Sequence, residues 1–227
     1  MGKRNEETKV VHALLCDVPA RRPSQRKEDA AGKSPFCINR PVLSVALSSA
    51  KLPGRHLALW VLAFFGLTYG LVSLANHYLF RTYAYDLGIY NQALWDTAHL
   101  RLNANSVMRY NNLLGDHFTL VQLLWAPLYW LFGSYTLLLV QIGLILLGGL
   151  GAYRLHLQRS QDTQPAAALG LMVLFLSARG IYSAVAFDYH DNVVAAMLLP
   201  WPLYWLEANR CGRATVAALL MALSSGA

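Results

Sequence analysis

Eight side chains able to do chemistry fall into two short stretches of this 227-residue chain. Residues 83–117 hold Asp86, Asp96, His99, Asp116 and His117; residues 187–192, FDYHDN, hold Asp188, His190 and Asp191. A carboxylate can take the proton of an attacking hydroxyl, and an imidazole can donate or accept near neutral pH. Arg179 adds a guanidinium suited to bidentate phosphate binding, inside an apolar run where an ionisable group needs a partner or an anionic ligand. A divalent cation on Asp86, Asp116 and Asp188 stays open, since oxygen ligands suit Mg or Mn, but nothing in the spacing demands one. Structural explanations compete. Asp is a favoured N-cap, which would account for Asp86, Asp116 and Asp191, and Arg179 can snorkel or pair with Asp188. The strings HExxH, CxxC, GxxxxGK[ST] and GxSxG are missing, so nothing points to a zinc protease, a P-loop NTPase or an α/β-hydrolase.

The elements that must hold these residues are membrane helices. With 56% hydrophobic and only 14% charged residues, the chain keeps long apolar runs between clustered charges. The runs are 57–75 (LALWVLAFFGLTYGLVSLA), 118–132 (FTLVQLLWAPLYWLF), 135–153, 166–186, 193–206, and a sixth from Ala214 onward. Run 118–132 is short, about 22 Å as a helix against a hydrocarbon core of about 30 Å, and Pro127 is expected to interrupt it. Charge places it at the interface. If it does not cross, the basic links holding Arg154 and Arg159, and Arg210 and Arg213, fall on the same side as the N-terminal tail, in keeping with the positive-inside rule. Residues 76–117, with three Arg and three Asp, then form a neutral outer connection, and 187–192 a second one. Within the first, Leu87, Tyr90, Leu94, Trp95 and Ala98 share one helical face, and Gln92, Asp96 and His99 another, so an amphipathic interfacial helix is expected there.

The net charge of +7 is a property of the tail rather than a sign of nucleic acid. Residues 1–55 carry eleven Lys and Arg against five acids, +6 in all, leaving +1 for residues 56–227. Rich in Pro, Arg, Lys and Ser, this stretch reads as a disordered cytoplasmic tail, with a membrane domain following over 56–227. Cys16, Cys37 and Cys211 show no ligand spacing and would all be cytoplasmic, hence reduced.

Three segments in order, DLGIYNQALWDTAH, LLGDHFTLVQLLWAPLYWLFGS, and FDYHDN ahead of an apolar run, resemble the bacterial predicted membrane proteins known as domain of unknown function 2079. That family in turn resembles the GT-C glycosyltransferases, which use polyprenyl-phosphate-linked sugars on the outer membrane face. The resemblance covers residues 83–227 and implies an all-α, polytopic transmembrane bundle with interfacial helices in the first outer loop. It further implies an inverting sugar transferase of the bacterial inner membrane, with its N-terminus in the cytoplasm. Asp86 matches the acidic residue that acts as base beside an interfacial helix in GT-C enzymes. For the reaction so implied, Asp116, His117, Arg179, Asp188 and His190 are the substrate-binding candidates by their chemistry, with Arg179 and either His117 or His190 meeting the departing phosphate. The family pattern continues with a Lys-Glu-Asp motif after a further span, whereas this sequence ends at MALSSGA, so an incomplete module is expected. A transporter or channel subunit, or an inactive truncated remnant, are the alternatives.

Overall fold

The computed structural model describes residues 54–82, 84–101, 106, 113 and 120–224. Residues 1–53 of the expected tail lie outside the described residues, as do Asp116 and His117, while its last two, Gly54 and Arg55, begin the first helix. Every regular element among the described residues is helical. Helix α1 is Gly54–Tyr78. A π-helical turn, Ala84–Gly88, leads into α2, Ile89–Ala98. Next come α3, Gln122–Phe132, a single 3-10 turn, and α4, Thr136–Arg159. Helices α5 (Pro165–Leu176), α6 (Arg179–Phe187), α7 (Asp191–Leu198), α8 (Pro200–Glu207) and α9 (Cys211–Ser224) complete it.

Length and composition let Gly54–Tyr78 and the unit Gln122–Arg159 cross a membrane, with a third crossing if α5 and α6, bent by 42°, count as one broken span. Helix α4 needs no help from α3: its 24 residues reach about 36 Å, while the 11 residues of α3 reach only about 16 Å. The expected break at Pro127 is corrected. Helix α3 runs through the proline and ends at Gly133, whose φ of 54° lies where only glycine is at ease. The 166–186 run is likewise divided, because Ala178 adopts an extended backbone between α5 and α6. Run 193–206 is interrupted at Leu199, which keeps helical angles. There Pro200 and Pro202 supply no N–H to the preceding turn.

Helix α4 is the hub, packing on α1, α3, α5, α7 and α8. Its glycines make this possible. A Cβ on Gly148 would stand 2.7 Å from the Met197 carbonyl oxygen, one on Gly149 2.8 Å from Leu176, and one on Gly151 2.9 Å from Pro200. Small residues thus let helix backbones close on one another where lipid gives no hydrophobic drive for association. One core joins Tyr69 of α1 with Ile145, Met172, Leu176 and Val185. A second, near the start of α4, joins Leu87, Tyr90 and Leu94 with Leu113, Ala126, Leu137, Tyr189 and Val194.

The two ends of the bundle differ in charge. Asn76 Nδ2 donates to the Ala186 carbonyl (3.0 Å), and the His77 ring meets Ser134 Oγ (3.1 Å), which fixes one end. At the other, Arg159 Nε bonds Glu207 Oε1 at 2.5 Å, and Arg55, Arg154, Asp162 and Tyr204 border one cavity. The link arginines therefore share the end at which α1 begins.

Gly148→Ala, which drives a methyl against a backbone carbonyl that cannot swing away, should cost about 1–3 kcal/mol in unfolding from mixed micelles. Gly143→Ala, with nothing within 4 Å of the added Cβ, should be neutral or slightly stabilising. Equal effects at the two positions would remove the close-packing explanation.

Candidate functional site

The site grows from the first turn of α2. Asp86 lies half-buried inside the first turn of the π-helical segment that runs on into α2 through Gly88, so it stands within the helix and not at the N-cap position expected of it. Tyr90 follows four residues later, on the same helical face. Its ring is buried, and its hydroxyl donates to the Asp191 carboxylate. The ring of Tyr189 meets Tyr90 edge to face, with centroids 5.3 Å apart. Burial first, then the charge of Asp191 and more weakly that of Asp86, hold the Tyr90 hydroxyl protonated well above the ordinary tyrosine range. Tyr189 is shifted the same way, by burial and then by Asp191. Tyr90, itself a residue of the first connection, therefore reaches an acid of the second, with Asp86 felt only through its charge.

The second connection is held from beneath. Gln141, an amide 1% exposed within α4, donates from Nε2 to the Asp188 carbonyl (2.8 Å) and accepts the His190 N–H on Oε1 (2.7 Å). One side chain thereby pairs both backbone groups that the gap between α6 and α7 frees. Asp191 begins α7 without being its N-cap, which is His190, and its Oδ1 accepts the Asn192 N–H at 2.8 Å. The Tyr189 hydroxyl and His190 Nδ1 are buried without a hydrogen-bond partner, so polar groups already stand in place for a further donor or acceptor.

The remaining candidates lie around this cluster or away from it. Asp188 is buried beside the Gln141 clamp, and His190 is half-buried, its ring 5.4 Å from Phe187. Arg179 is exposed at the opposite end of α6 from Phe187, about 12 Å along the helix, and is not drawn into the cluster. Asp96, expected on the polar face of α2, is instead 6% exposed. His99 donates from Nδ1 to the Trp95 carbonyl (2.7 Å) and stacks with Trp95 and Trp130, at 4.3 and 4.6 Å. The Arg101 guanidinium also lies over the Trp95 ring, 4.9 Å from its centre. His99 thus belongs to the aromatic seam between α2 and α3. Among the described residues no three His, Cys, Asp or Glu side chains group to hold a metal ion.

Sequence reasoning passed over Tyr90, Tyr189, Gln141 and the role of Asp191. Gln141 left a signal, a lone amide in an otherwise apolar stretch, where polar groups are costly and usually have a task. Tyr90 left none, since an aromatic on the apolar face reads as packing.

A family model described as Predicted membrane protein (DUF2079) matches residues 76–227. The chain belongs to this family. The matched region takes in α2 to α9 and the whole Asp86–Tyr90–Asp191 cluster, so the cluster is built from family sequence. No curated protein and no solved structure matches the chain.

Tyr90→Phe should destabilise the fold by about 1–3 kcal/mol, because Asp191 loses a buried donor. The raised ionisation of Tyr90 also gives a pH signature. Its stabilising contribution is complete below about pH 10, where an unfolded tyrosine titrates, and falls as pH rises toward the higher folded value. Unfolding measured at pH 8 and pH 11 should show a smaller alkaline loss for Tyr90→Phe than for the parent. An equal loss would rule out the buried, acid-facing hydroxyl.

Proposed function

We propose that this family member is a GT-C-like glycosyltransferase that moves a sugar from a polyprenyl-phosphate donor at the outer face of the bacterial inner membrane. In this reading residues 1–55 are a cytoplasmic tail, and 56–227 the membrane domain. The observation that carries it is the junction of two acid-bearing connections through Tyr90, at the end of the bundle away from the link arginines. A reaction of this class needs a base for the acceptor hydroxyl and positive charge for the departing phosphate. Asp86 takes the first role, half-buried and free of capping duty. Asp188 and His190, with Asp116 and His117, border the substrate. Arg179, below the surface on the exposed side of α6, meets the phosphate of a donor held in the bilayer. Trp95, Trp125 and Trp130, on the two short helices, suit the interfacial layer where such a lipid enters.

The orientation has its own test. With the native cysteines replaced, Ser134→Cys should react with an impermeant thiol reagent in intact cells, and Gln158→Cys only after lysis. Labelling at 158 in intact cells would reverse the assignment.

Asp86→Asn keeps size and polarity and disturbs no cap, so the protein should insert at normal levels. Transfer from a polyprenyl-phosphate sugar, measured in membranes at equal expression, should fall by roughly 10² to 10⁴. Parental rates in this variant would place the base elsewhere.

A further inference from the structure

At the end of the bundle opposite the acidic cluster, a cavity of about 590 Å³ opens between α1, α4 and α8. Its lining is mixed: Leu59, Leu62, Leu150 and Leu157 form an apolar wall, while Arg55 and Arg154 stand among its polar groups. No ion pair among the described residues takes up either guanidinium, whereas neighbouring Arg159 is already bound to Glu207. Asp162 also borders the cavity, so the rim keeps an excess of one positive charge. Arg55 is the second residue of α1, and Arg154 stands about 8 Å short of the end of α4, which places both near the headgroup level of a bilayer spanned by these helices. Tyr204 adds a hydroxyl on the α8 side.

From this arrangement we infer an anionic-phospholipid site: a headgroup phosphate on Arg55 and Arg154, with its acyl chain along the leucine wall. The chemistry is complementary at both ends. Two guanidinium forks match phosphate oxygens, and an apolar slot at membrane depth matches a chain that need not leave hydrocarbon. The site is independent of the transferase reading, since it shares no residue with the cluster around Tyr90.

The test uses the full chain in neutral detergent, titrated with phosphatidylglycerol and read by native mass spectrometry. Because the basic tail is the same in every variant, differences among variants report the cavity. The parent should bind one phosphatidylglycerol in preference to phosphatidylcholine. Arg55→Gln and Arg154→Gln should each weaken it about fivefold, and the pair about 30-fold. Asp162→Asn, which removes the opposing charge, should tighten binding; this gain cannot come from misfolding. Inorganic phosphate at millimolar levels should not displace the lipid, because it cannot use the leucine wall. Binding of phosphatidylcholine as tight as that of phosphatidylglycerol, an unchanged double Arg variant, weaker binding by Asp162→Asn, or displacement by inorganic phosphate would each overturn the inference.

Discussion

Backbone polar groups freed inside an apolar bundle must find partners within the protein, because hydrocarbon offers none. This chain breaks its helices inside or at the edge of the bundle, and the two breaks that flank α6 are answered by side chains from neighbouring helices. At the break between α5 and α6, the Tyr69 hydroxyl of α1 donates to the Leu176 carbonyl. Near the end of α6, Asn76 of α1 donates to the Ala186 carbonyl. Across the gap between α6 and α7, Gln141 of α4 serves the Asp188 carbonyl and the His190 N–H together. Leaving such a group unpaired costs about 1–3 kcal/mol even by protein mutational measures, so these few polar side chains decide where the chain can turn.

The location of the acidic cluster follows from the same constraint. Gln141 pins residues 188–190 to α4, and Asp191, the next residue, is thereby aimed at α2. The glycines of α4 set how near α5, α7 and α8 come, and so whether that clamp can close. The Tyr90 hydroxyl that Asp191 accepts is held protonated by burial and by that carboxylate's charge. The opposite end obeys a different logic: there Arg159 pairs with Glu207, and Arg55 and Arg154 border a cavity together with Asp162.

Much of the architecture was legible in the sequence because hydrophobicity along the chain follows directly from the bilayer's thickness and polarity. Runs 57–75 and 135–153 marked α1 and α4, and Leu87, Tyr90 and Leu94 marked the buried face of α2. The two acid-bearing stretches could be picked out by residue type, and Asp86 and Asp188 were named from them. What composition concealed were the breaks: at Ser177–Ala178 no proline warned of the bend, and at Pro127 a proline was overridden by the continuity of α3.

The sequence by itself therefore determined that this is a helical membrane chain with five of its acids gathered in two connections, since periodicity, length and charge are local properties. Only the tertiary structure decided what those acids meet. Asp191 takes the hydroxyl of Tyr90 from the first connection, while Arg179 stays apart and His99 goes into the aromatic seam. The reason is physical. Convergence depends on how closely α4 admits its neighbours and on which amide or hydroxyl reaches a broken backbone, and both are set by contacts between residues such as Gln141 and His190, 49 positions apart.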